Sequence, residues 1–130
     1  MPKIEAILNL KIQSPNVMEH WSSRYKRNEF NHKLIKSHLF GVGIAKVEIP
    51  CKIILERTGS RLYDQDNYVF SCKGIKDSLA ALIQGKKRGQ DDDNPALEWV
   101  YCQKKGKPSF RIEITWGENN DMLDSTKKYE

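Results

Sequence analysis

Two stretches of strict two-residue alternation constrain this chain more than any other feature. In the first, Val47, Ile49, Cys51, Ile53 and Leu55 face one way, and Lys46, Glu48, Lys52 and Glu56 face the other. In the second, Phe110, Ile112, Ile114 and Trp116 alternate with Arg111, Glu113 and Thr115. Successive side chains of a strand leave opposite faces, so each stretch predicts a strand with one apolar face. Pro50 cannot donate to a ladder and predicts an edge position or a bulge. Ile4, Ala6, Leu8, Leu10 and Ile12 alternate more briefly and predict a first strand over residues 4–12. Ala96 to Cys102 predicts another, joined to the last by the KKGKP turn as a hairpin.

Between the strands the period changes. Ser14-Pro15-Asn16 breaks the first strand, and Asn16 with Glu19 matches a capping box. Val17, Trp21, Tyr25, Ile35 and Leu39 then fall on one helical face, interrupted over residues 28–31 and ended by Gly41 and Gly43. The other side carries Arg24, Lys26, Arg27, Lys33 and Lys36. A second helix is expected from about Asn67 to Gln84, with Val69, Cys72, Ile75, Leu79, Leu82 and Ile83 as its apolar face and Gly85 as its C-cap. The following loop, GKKRGQDDDNP, is polar and expected to be exposed. The order β-α-β-α-β-β predicts a single α+β domain over residues 1–117, with helices packed on a mixed sheet and the first two strands paired in parallel. Residues 118–130 read as a polar, frayed tail.

Composition excludes several classes. No apolar run approaches the roughly 18 residues of a membrane span, and the N-terminus lacks a signal-peptide pattern, so an intracellular, cytoplasmic protein is expected. Cys51, Cys72 and Cys102 are odd in number and form no C-x-x-C, which argues against a disulfide framework or a zinc site. His20, His32 and His38 form no ligand pair and read as surface or structural residues. The net charge of +5 favours a polyanionic partner, although a charge run is usually only a solvated face.

The chemistry concentrates in Asp64-Gln65-Asp66-Asn67, which follows a strand and opens a helix. Carboxylates one residue apart can converge on a hard cation such as Mg²⁺. Asp and Asn are also the commonest N-caps, so spacing alone favours a plain helix start over a metal site. Along a helix beginning near Asp66, Asp66, Lys73 and Asp77 share a face. Asp91-Asp92-Asp93 is a run of like charges that a cation would relieve. An EF-hand is excluded, because its sixth and twelfth positions would be Val69 and Ile75 rather than Gly and Glu.

Together, the D-x-D-N of Asp64, Asp66 and Asn67, then Lys73, then the D-x-L of Asp77 and Leu79, then Asp92 and Asp93 resemble the RusA family of Holliday-junction resolvases. KIILERTGSRLYDQDN resembles the strand entering that family's acidic motif, and SPNVMEHW its N-terminal element; the likeness spans roughly residues 4–116. It implies a homodimer that binds branched DNA, especially four-way junctions, and nicks two strands symmetrically with Mg²⁺, or Mn²⁺ in its place. It implies Asp64, Asp66 and Asp93 as catalytic metal ligands, with Asp92 as the alternative third, and Lys73 as a catalytic lysine. Choosing Asp93 puts Glu98 where the family carries another acid. Arg24, Lys26, Arg27, Lys86, Lys87 and Arg88 are the candidate DNA contacts, since phosphate contacts position a duplex without reading its sequence. Lys104, Lys105 and Lys107 are further candidates. The alternative is a non-catalytic nucleic-acid-binding protein of the same fold.

Overall fold

The computed structural model describes residues 2–12, 20–90 and 93–117; Asn16–Glu19, Val17, Asp91, Asp92 and the 118–130 tail fall outside them. The α+β class and the element order hold. The strands are β1 (Lys3–Leu8), β2 (Cys51–Gly59), β3 (Leu97–Lys105) and β4 (Ser109–Trp116), and the helices α1 (Trp21–Val42), α2 (Gln65–Ser71) and α3 (Lys73–Gln84). The sheet order is β1-β4-β2-β3.

That order overturns two expectations. The expected hairpin of β3 and β4 does not form, because β2 lies between them. β3 pairs parallel with β2, from Cys51↔Leu97 to Gly59↔Lys105. β4 pairs antiparallel with β2 on its other side. Nor do β1 and β2 pair: they run the same way with β4 between them, so that Thr115 lies opposite both Lys3 and Lys52. The cause is burial. Phe110, Ile112, Ile114 and Trp116 are all buried, as are Cys51, Ile53 and Leu55, so the two most apolar strands take the centre. β3, whose Trp99 and Tyr101 are only partly buried, takes an edge. The short connection is possible because β2 stops at Gly59. Residues 106–108 cross its end, and the Gly106 N–H donates to the Gly59 carbonyl at 3.0 Å. A Cβ on Gly106 would stand 2.9 Å from Thr58 Cγ2, so the crossing requires glycine.

β1 ends at Leu8, earlier than the alternation suggests, although Leu10 and Ile12 still pack against the core. The backbone of Lys11 is satisfied by α1 instead. Its N–H donates to Asn31 Oδ1 at 2.8 Å, and Asn31 Nδ2 donates to its carbonyl at 2.7 Å. The inner face of α1 is therefore Asn31, Ile35 and Leu39. Trp21 and Tyr25, expected inside, are 71% and 60% exposed. At the start of α1, His20 Nδ1 accepts from the Ser22 N–H. Gly41 lies within the helix, and Gly43, at φ 102°, closes it. A 3₁₀ turn, Ile44–Lys46, follows, with Ile44 and Val47 buried and Ile49 exposed. Pro50 precedes β2, which is a central strand, so it marks neither an edge nor a bulge.

The second helix is two helices meeting at Cys72. α3 lies close to α1 at Gly74, where a Cβ would meet Asn28 Oδ1 at 2.5 Å. α2 buries Tyr68, whose hydroxyl donates to the Leu55 carbonyl at 2.8 Å; the expected apolar face omitted this residue. Cys72, Ile75 and Leu79 are buried as expected, and Gly85 caps α3.

Candidate functional site

The acidic segment sits beyond the C-terminal end of β2, and side chains of β2 and β3 hold its approach. Gln103 takes both backbone groups of Tyr63: its Oε1 accepts from the N–H at 3.0 Å, and its Nε2 donates to the carbonyl at 2.9 Å. Arg57 donates to the Arg61 carbonyl at 2.8 Å and lies over the Tyr63 ring, 4.1 Å from its centroid. Asp64 occupies the N-cap position of α2 but makes no capping hydrogen bond. Both Asp64 and Asp66 are exposed, at a helix end whose free N–H groups favour negative charge. A cleft of about 230 Å³ opens beside Tyr63, lined by Arg57, Thr58, Ser60 and Ser109 among others.

Asp93 is not part of this group. β2 and β3 are parallel and in register, so the loop leaving β2 and the loop entering β3 lie at opposite ends of a nine-residue ladder. Such a ladder is about 26 Å long at roughly 3.3 Å per residue. Asp93 is almost fully exposed, and its Oδ1 lies 3.7 Å from Lys76 Nζ on α3. Among the described residues, no group of three or more His, Cys, Asp or Glu side chains is placed to hold a metal ion. The expected set of Asp64, Asp66 and Asp93 is therefore not assembled, for a topological reason; Asp92, its alternative, lies outside the described residues. The shared face of Asp66, Lys73 and Asp77 is also lost, because the break at Cys72 puts Asp66 on a different helix. Lys73 pairs with Asp77 at 3.5 Å, an ordinary one-turn ion pair. Asp64 and Asp66 remain as a two-carboxylate donor set. That set fits an Mg²⁺ shared with substrate phosphates, which commonly takes only one or two carboxylates, and does not fit a closed protein cage.

The basic residues form a second feature. Lys86, Lys87 and Arg88 leave the end of α3 exposed and fold back onto α1, where Arg88 pairs with Glu29. The Arg88 hydrogen bond holds the Glu29 carboxyl below its usual range. Between helix and loop lies a groove of about 470 Å³ lined by His32, Lys36, Leu82, Lys86, Lys87 and Arg88. Two clusters 50 residues apart in sequence thus meet. Arg24, Lys26 and Arg27 sit nearer the start of α1 and do not line the groove. A smaller cleft, lined by Tyr25, Asn28, Glu29 and Asp77, opens on the other side of Arg88.

Sequence reasoning missed His32, Gln103 and Arg57. His32 Nδ1 lies 2.9 Å from the buried Ser78 hydroxyl on α3. Burial holds its imidazole below the usual range, with Arg88 and Lys36 acting the same way and Glu29 opposing them. The one available signal was that His32 neighbours Asn31 in the polar break of the stripe. No local spacing links Gln103 to Tyr63. Compared with known proteins, the chain matches no family model and no curated protein. No helix among the described residues is long and apolar enough to cross a membrane.

Proposed function

We propose that this protein binds branched DNA and cleaves it by metal-dependent phosphodiester hydrolysis, as a structure-selective endonuclease for four-way junctions. One observation carries the reading: Asp64 holds the N-cap position without capping, so its carboxylate, like that of Asp66, stands free at the mouth of the β2–β3 pair. A plain helix start would use that oxygen on the first N–H groups. Asp64 and Asp66 would hold Mg²⁺ or Mn²⁺, which when bound supplies hydroxide at neutral pH and neutralises charge on the phosphate. Arg57 and Gln103 fix the backbone that presents the carboxylates. The cations of the groove would hold the DNA backbone, and symmetric nicking would require a homodimer. Acting on DNA, the protein would work in the cytoplasm at the nucleoid.

The position of Asp93 favours a second reading, a nucleic-acid-binding protein of this fold that does not cut. A labelled four-way junction separates the two. Paired nicks that require Mg²⁺ support the nuclease. Binding in chelator without nicks at any Mg²⁺ or Mn²⁺ concentration supports the binder. Failure to bind junction or duplex at low salt removes both.

A further inference from the structure

We propose that the groove between α1 and the 86–88 loop is a phosphate-binding site in which His32 Nε2 donates to a phosphate oxygen, so that binding takes up a proton. The inference rests on the reading that nucleic-acid backbone enters this groove, and it adds a contact that the basic residues alone do not supply. The Ser78 hydroxyl is buried and faces His32 Nδ1 at 2.9 Å. A hydroxyl donating to Nδ1 leaves the ring hydrogen on Nε2, the other nitrogen of a half-exposed ring that lines the groove.

The surrounding charges suit an anion. Lys36 on α1 and Lys86, Lys87 and Arg88 in the loop face the space, above an apolar floor of Ala81 and Leu82. The acidic groups nearby are Glu29, committed to Arg88, and Asp77, which lines the cleft beyond Arg88 and pairs with Lys73. Lys33, also on α1, acts on Glu29. Desolvation of the ring, with Arg88 and Lys36 beside it, holds the imidazole pKa below its usual value, and Glu29 opposes them. A phosphate between these groups reverses the balance, because its negative charge favours imidazolium; the proton taken up goes to Nδ1, and the Ser78 hydroxyl turns from donating to accepting there. Binding and protonation are then linked, and each must strengthen the other.

Two measurements test this. The ring-nitrogen signals of His32 are followed from pH 5 to 8 alone, with inorganic phosphate, and with a four-way junction. Junction affinity is measured at pH 5.5 and 7.5 for the wild type, His32→Gln, and Lys36→Ala with Lys87→Ala. The expected result is that both ligands raise the His32 pKa, and that wild-type affinity rises about fivefold on acidification, within the tenfold per pH unit that one proton allows. His32→Gln should bind more weakly than wild type, most of all at pH 5.5, and respond little to pH. The lysine variant should weaken at both pH values. A wild-type pH response in His32→Gln, or ring signals unmoved by phosphate and junction alike, overturns the inference. Phosphate raising the His32 pKa while no DNA binds keeps the groove and removes the DNA reading. A bound junction with His32 unmoved does the reverse.

Discussion

Asn31 and Lys11 are joined twice, Lys11 N–H to Asn31 Oδ1 at 2.8 Å and Asn31 Nδ2 to the Lys11 carbonyl at 2.7 Å. One buried amide thus replaces a strand partner for the segment leaving β1. Asn31→Ala should cost about 2 kcal/mol in denaturant unfolding, since two part-buried backbone groups lose their partners. Amide exchange at Lys11 should quicken. A loss under about 0.5 kcal/mol would show that water replaces the amide without penalty.

Asp64→Asn and Asp66→Asn should each abolish Mg²⁺-dependent junction cutting while junction binding stays equal or tightens slightly. Thermal stability should hardly change, because Asp64 makes no capping bond and Asn caps about as well as Asp. Wild-type cutting by either variant removes that residue from the proposed site.

Replacing Lys86, Lys87 and Arg88 with Ala should weaken junction binding and leave the fold intact, since all three are exposed. The log–log salt slope should fall by roughly 2–3, at about 0.9 per lost phosphate contact. An unchanged slope would reduce the loop to a connection held by the Arg88–Glu29 pair.

Gly106→Ala should destabilise by about 1–3 kcal/mol, the usual cost of overpacking. The added methyl meets Thr58 Cγ2, so Thr58→Ser should recover part of the loss. Equal losses in both backgrounds would place the cost in the backbone rather than in this contact.

Burial raises the thiol of Cys51 to about 11 and that of Cys72 to about 12, from the usual 9.0. A raised thiol keeps its stabilisation below pH 9 and loses it as pH climbs through the folded value. Stability should therefore fall between about pH 9 and 12, and less steeply in Cys72→Ala. Cys102, half-buried on the open face of the sheet, should be first to react with a thiol reagent at pH 8. Equal labelling of all three would contradict this burial pattern.

Alternation made β2 and β4 legible, because a period of two reports which face of a strand is buried. It does not report which strand lies alongside, and the KKGKP connection looks like a hairpin turn by length and composition. The crossing is visible only once Gly59 and Gly106 are seen in contact. Trp21 and Tyr25 were misplaced for a related reason: helical spacing marks a shared face, and on α1 the inward face also holds Asn31. The acidic pair was legible as a motif. The separation of Asp93 was not, since it depends on β2 and β3 being parallel.

The placement of β2 between strands that are neighbours in sequence also sets an order of assembly. β1 pairs with β4 and with no other described strand, and β4 is the last of the four to be made. During synthesis the ladder edge of Lys3–Leu8 waits, unpaired, until Trp116 has left the ribosome. No local hairpin can form meanwhile to nucleate the sheet. Folding of the sheet is therefore slow, and a chain halted before Ser109 leaves β1 unpaired and β2 paired on one side only, with β3, so that both keep an edge open to aggregation.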